Sequence, residues 1–195
     1  YAIGVLFAGR IVDRLDTKKG YLWAIAIWSV GACLHALCGV ITEAVVGLDS
    51  AQALRMAQGV DIVARITTVS VSLFMFARSI LAIGEAGNFP AAVKATAEYF
   101  PRKDRGFATS IFNAGATVGA LIAPITVPLI ATRFGWEAAF LLIGALGFIW
   151  MGFWIFVYKK PEAHPKVNKT ELLYIRQDVE DHSVDDVPPG SQTKI

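Results

Sequence analysis

Apolar residues gather in long, nearly unbroken stretches along this chain rather than in the stripes and alternations of a water-soluble domain. The stretches 21–42, 69–92, 107–131 and 138–158 each run to about 20 residues, the length a helix needs to cross roughly 30 Å of hydrocarbon. A fifth run, 1–12, is too short to span. It has no initiator Met and no basic segment ahead of it, so it reads as the end of a further helix rather than as a signal peptide. The pattern predicts an all-α integral membrane bundle over 1–158, with four full spans and one partial span.

The remainder, 159–195, changes character. Asn168 is placed to cap a short helix, with Glu171 at the capping-box position and Leu172, Ile175 and Val179 on one face. Residues 178–186 are acidic, and Pro188, Pro189 and Gly190 mark a flexible linker. Asn168-Lys169-Thr170 matches a glycosylation acceptor, which a cytoplasmic segment would never present to the enzyme.

Charge sets the orientation. Fourteen lysines and arginines fall in 10–19, 93–106 and the tail 159–195, against three (Arg55, Arg65, Arg133) in the alternate connections. The positive-inside rule places loops 13–19 and 93–106 and the tail in the cytoplasm. Composition agrees with the membrane reading, since 55% of residues are hydrophobic and only 17% charged. A net charge of +2 with no basic stripe excludes nucleic acid as a natural partner. Cys33 and Cys38 lie five apart on one span and point in different directions, so they read as apolar fillers rather than as a disulfide or metal site. Neither a metal nor a cofactor is expected.

The span 69–92 carries the chemistry. Its only ionisable side chains are Arg78 and Glu85, and a charge at mid-membrane usually faces a bundle interior or a water-filled cavity. Seven residues is almost two turns, so both share a face about 10 Å apart along the axis, too far for a direct salt bridge. Arg78 offers a planar, permanently charged fork for a carboxylate or phosphate. Glu85, partly desolvated, is suited to gaining and losing a proton. Gly84 and Gly87 flank it and admit another helix or a substrate. The bland alternative is that each charge pairs with a further helix merely to hold the bundle. In the next span Asn113 needs a partner, either packing glue or a substrate hydroxyl, and Gly115 with Gly119 reads as a small-residue packing pair. His35 reads as a hydrogen-bonded packing residue ahead of a proton relay.

Gly9-Arg10-Ile11-Val12-Asp13-Arg14-Leu15-Asp16-Thr17-Lys18-Lys19 resembles the loop motif between the second and third helices of the major facilitator superfamily: Gly, then Asp-Arg, then a basic pair. Asp16 stands where that motif usually has glycine. The resemblance implies that Gly9, Asp13, Arg14, Lys18 and Lys19 form a conformational loop motif rather than a substrate site. Arg78 through Gly84-Glu85-Ala86-Gly87-Asn88-Phe89-Pro90, then Glu98-Tyr99-Phe100-Pro101-Arg102-Lys103-Asp104-Arg105, then Lys160-Pro161-Glu162-Ala163-His164-Pro165 resemble the anion:cation symporter branch, especially its bacterial hexuronate transporters.

That resemblance implies anion binding at Arg78, proton coupling at Glu85 and residence in a bacterial inner membrane. It numbers 1–12 as the end of helix 2, 21–42 as helix 3 and 138–158 as helix 6, with the tail entering the central loop. The first helix and the second half of the fold then lie outside this chain, which alone is not expected to transport. The connection 43–68 is longer than the short turn the resemblance implies.

The expected function is proton-coupled uptake of a hexuronate-type sugar acid, with Asn113 touching hydroxyls. The alternatives are symport of an aldonate, aldarate or dicarboxylate and, ranked low, a non-transporting regulatory half-protein. An intramembrane enzyme is disfavoured: Ser79 has no base at helical spacing, and His35 has no ligand partner in its span.

Overall fold

The computed structural model describes residues 2–185, and among these the chain is helical with no strand. The linker Pro188-Pro189-Gly190 lies outside the described residues. Helix α1 spans Ala2–Leu15, α2 Thr17–Val46, α3 Ala51–Met56, α4 Val60–Tyr99, α5 Arg102–Phe134 and α6 Trp136–Val157. A 3₁₀ turn at Pro161–Ala163 and helix α7, Lys169–Asp185, follow. Helices α2, α4, α5 and α6 are each long and apolar enough to cross a membrane, and each carries one of the four apolar stretches, the last running one residue past α6.

The breaks between helices have local causes. Asp16 turns the chain with φ 70°, a conformation that side chains seldom adopt. Its carboxylate accepts the Thr17 amide at 2.9 Å and so caps α2. Gly47 closes α2 in the left-handed conformation, its amide bonding Glu43 O at 2.9 Å. Pro101 forces Phe100 into extended backbone and ends α4. Gly135, at φ 88°, separates α5 from α6. Asn168 caps α7 through Glu171 N at 2.8 Å, as the spacing predicts.

The long connection at 43–68 resolves into helix. α2 continues to Val46, α4 starts at Val60, and the short α3 lies in the gap between them. Polar residues such as Asp61 and Arg65 end the apolar signal well before the helix ends.

The core lies where α2 packs against α4 and α6. Small residues make that approach possible. A Cβ added at Gly31 would stand 2.6 Å from Leu81 N and Cα, and one at Gly84 would stand 2.7 Å from Ala24 O. On the opposite side of α2, a Cβ at Gly144 of α6 would come within 3.0 Å of Ser29 O. Without a hydrophobic drive inside lipid, such close backbone packing is the main source of helix association. By contrast, none of α5 is buried among the described residues, and Gly115 and Gly119 meet nothing within 4 Å. The packing role the sequence suggested for that pair is not made here.

Candidate functional site

Arg78, Glu85 and Asn88 project from one side of α4. Gly84 and Gly87 turn towards Ala24 and Trp28 of α2. That contact fixes the rotation of α4 and turns Glu85 towards a cleft of about 370 Å³. Tyr21 from α2, Asn88 and Phe89 from α4, and Phe112 and Asn113 from α5 line the same cleft. Glu85 is half-buried there, and Phe89 and Phe112 meet edge to face at 5.8 Å. The fold thus brings Glu85 and Asn113, from different helices, into one space.

Arg78 opens elsewhere. Two turns back on the same side, it lines a separate cleft of about 410 Å³ with His35, Ser70, Val71, Phe74 and Met75. The spacing placed Arg78 and Glu85 on one face of the helix. Among the described residues, the shared face of α4 borders two neighbouring clefts. No ion pair or side-chain hydrogen bond within the described residues engages Arg78, Glu85, Asn88 or Asn113. A polar group in an apolar span that lacks a partner among the described residues needs water, a ligand or a group from a further helix.

Two residues of this region were not singled out for binding by their sequence context. Asn88 sits one turn beyond Glu85 and also borders a third cleft of about 320 Å³, together with Tyr21, Trp28 and Trp150. An amide inside an apolar span was the available signal. His35, read as packing, shares Arg78's cleft, and only its neighbours on other helices reveal this.

The conformational-motif residues lie at the far end of the bundle. Asp13 pairs with Lys94 at 3.2 Å, and Lys94 also donates to the Val12 and Asp13 carbonyls. Lys18 reaches Ile155 O at 2.8 Å, while Arg14 and Lys19 are exposed and a Cβ added at Gly9 would meet nothing within 4 Å. Close by, the Glu98 carboxylate accepts from both Thr17 Oγ1 and the Tyr158 hydroxyl, joining α2, α4 and the end of α6. Tyr99 donates to Lys159 O. Lys160 pairs with Asp16 at 3.1 Å. That ammonium, with the Thr17 amide, holds the Asp16 carboxyl below the usual aspartate range, and Asp16 in turn raises Lys160. In the tail, Arg176 pairs with Glu162 at 2.7 Å and keeps its carboxyl low.

The sequence pattern described as Major Facilitator Superfamily matches residues 1–184. The chain is 33% identical over 175 residues to the hexuronate transporter of Escherichia coli K12, covering 90% of this chain and 34% of that protein. It is 30% identical to the galacturonate transporter of Dickeya chrysanthemi, covering 90% of this chain and 42% of the relative. It is also 30% identical to the probable galactarate/D-glucarate transporter GudP of Escherichia coli K12, again over 90% of this chain and 34% of the relative. The chain therefore spans between a third and a half of the length of these relatives.

Proposed function

This chain belongs to the Major Facilitator Superfamily, and on that premise we propose that the protein carrying it takes up a hexuronate-type sugar acid together with a proton. Family membership and four membrane-crossing helices make it a multi-pass membrane protein. In this reading 1–158 is the transmembrane bundle and 159–195 the start of a cytoplasmic central loop. Loops 13–19 and 93–106 also face the cytoplasm of a bacterial cell, and the second half of the carrier completes the site.

One observation carries the reading. A carboxylate, Glu85, and an amide, Asn113, meet in one cleft, while a free guanidinium, Arg78, stands two turns away on the same helix face. Arg78 neutralises the substrate carboxylate and Asn113 meets hydroxyls. Glu85 accepts a proton while the cavity faces outward and releases it on the cytoplasmic side. Asp13, Arg14 and the basic pair Lys18-Lys19 belong to the machinery that switches the cavity between sides. The names of the galactarate/glucarate relatives favour an aldarate as the second reading.

The test is labelled galacturonate uptake into vesicles under an imposed inward proton gradient, with the complete membrane protein and its Glu85→Gln variant. The expected result is gradient-driven uptake in the wild type that Glu85→Gln abolishes, with counterflow exchange surviving. Uptake of galactarate but not galacturonate moves the assignment to aldarates. Gradient-driven uptake unchanged in Glu85→Gln removes Glu85 from the coupling.

A further inference from the structure

We propose that His35 is a recognition residue of Arg78's cleft, its Nε2 accepting a hydrogen bond from a hydroxyl of the anion whose carboxylate Arg78 holds. The proposal rests on the sugar-acid reading above and adds to it a residue on α2.

His35 is 5% exposed, which is unusual for a histidine with no metal and no acidic partner. Its Nδ1 lies 2.7 Å from Gly31 O. A carbonyl can only accept, so Nδ1 carries the proton, and in the neutral ring Nε2 is left with a lone pair. The ring is held rigidly in that orientation. It stacks on Phe140 at 4.9 Å with planes 9° apart and meets Phe74 edge-on at 6.0 Å. Nε2 makes no hydrogen bond among the described residues. Nor is it one of the sealed, unpartnered polar atoms, which there are Ser29 Oγ and Gln177 Nε2. His35 lines the cleft it shares with Arg78, and that cleft is where Nε2 would meet a ligand.

That cleft suits a sugar acid. Its volume of about 410 Å³ falls in the range of small-molecule sites. Val71, Phe74 and Met75 supply apolar walls, and no carboxylate lines it among the described residues, so Arg78 is free to take an anion. Ser70 is already engaged, donating to Thr42 Oγ1 at 3.2 Å. The cleft therefore presents one strong anion donor and one fixed acceptor, complementary to a carboxylate and a hydroxyl on one small molecule. A fixed acceptor of this kind discriminates against a ligand lacking the hydroxyl, because the lone pair is then left unpaired.

The experiment measures binding of galacturonate and of cyclohexanecarboxylate, a ring acid without hydroxyls, to the purified complete protein. The proteins compared are wild type, Arg78→Ala, His35→Phe and His35→Gln. His35→Phe keeps an aromatic ring against Phe140 but removes the acceptor. The expected result is a roughly tenfold loss of galacturonate affinity in His35→Phe, with cyclohexanecarboxylate unchanged. His35→Gln, which restores an acceptor, is expected to recover part of that loss. Arg78→Ala weakens both ligands. Equal losses for both ligands in His35→Phe, or no loss for either, overturn the role of His35 while Arg78→Ala still reports on the sugar-acid reading. Absence of galacturonate binding in the wild type overturns both. If melting shows that His35→Phe has lost its fold, the ligand ratio in His35→Gln decides: a reduced preference for galacturonate, with cyclohexanecarboxylate affinity kept, supports the proposal, and an unchanged preference sinks it.

Discussion

Helices α2 and α5 are both long, both apolar enough to span a membrane and both studded with glycine, yet they occupy opposite situations. α2 contributes eleven buried residues, including Ser29, His35 and Thr42, and backbone of neighbouring helices crowds its Gly20 and Gly31. α5 contributes none, and its glycines open onto empty space among the described residues. Apolar length reports only on the bilayer. Close packing depends on small residues at the interface, and among the described residues α2 is packed closely on two sides while α5 is not. The polar groups differ too: Thr42 Oγ1 and His35 Nδ1 of α2 bond to carbonyls of their own helix, while Asn113 of α5 faces a cleft.

The sharpest way to break this contrast is Gly31→Ala. The new methyl would overlap the Leu81 backbone, forcing α2 and α4 apart, and we expect a loss of about 1–3 kcal/mol or more, measured by denaturant unfolding in detergent. Next is Glu98→Ala, which strands the Thr17 and Tyr158 hydroxyls, 0% and 5% exposed, at the start of α2. A loss of about 1–3 kcal/mol is expected in the same assay. A cost under about 0.5 kcal/mol would mean that the three-helix junction is held by apolar packing alone.

A smaller effect distinguishes backbone from side chain at Asp16. Both Asp16→Gly and Asp16→Ala lose the Lys160 pair and the cap, but only glycine is at ease at φ 70°. The alanine variant should be the less stable by about 1 kcal/mol. The same residue gives a pH signature. Its folded carboxyl is held below the ordinary value, so its contribution is complete above about pH 4 and is lost as pH falls through the folded value. Melting curves of wild type and Asp16→Asn should converge in that acid window. The pair is half-exposed, so the convergence is modest. Smallest of all is Gly119→Ala on α5, where nothing lies within 4 Å and helix propensity improves. A change within about 0.5 kcal/mol is expected, and a large loss would place an unseen neighbour against α5.

These residues also show what could be read in advance. The four spans and the all-helical class were legible because hydrocarbon thickness dictates run length and lipid forbids unpaired backbone. The extension of α4 back to Val60 was not legible, because Asp61, Arg65, Thr67 and Thr68 carry no apolar signal although the helix continues through them. The common face of Arg78 and Glu85 followed from helical spacing. Their division between two clefts did not, since it depends on His35, Tyr21 and Phe112 arriving from other helices. Asp16 is intermediate: its departure from glycine was visible, but its rescue by Lys160, 144 positions along the chain, was not.

The length of α4 has a mechanical consequence. At 1.5 Å per residue its 40 residues form a rod about 60 Å long, twice the hydrocarbon thickness. Arg78 lies near its middle and Glu98 at one tip. If such a rod swings about its centre by about 10°, each tip travels roughly 5 Å while groups beside the pivot scarcely move. On the function proposed above, such a helix would act as a lever with Arg78 near its fulcrum. A gate at the membrane surface can open widely while the grip on a bound molecule keeps its shape.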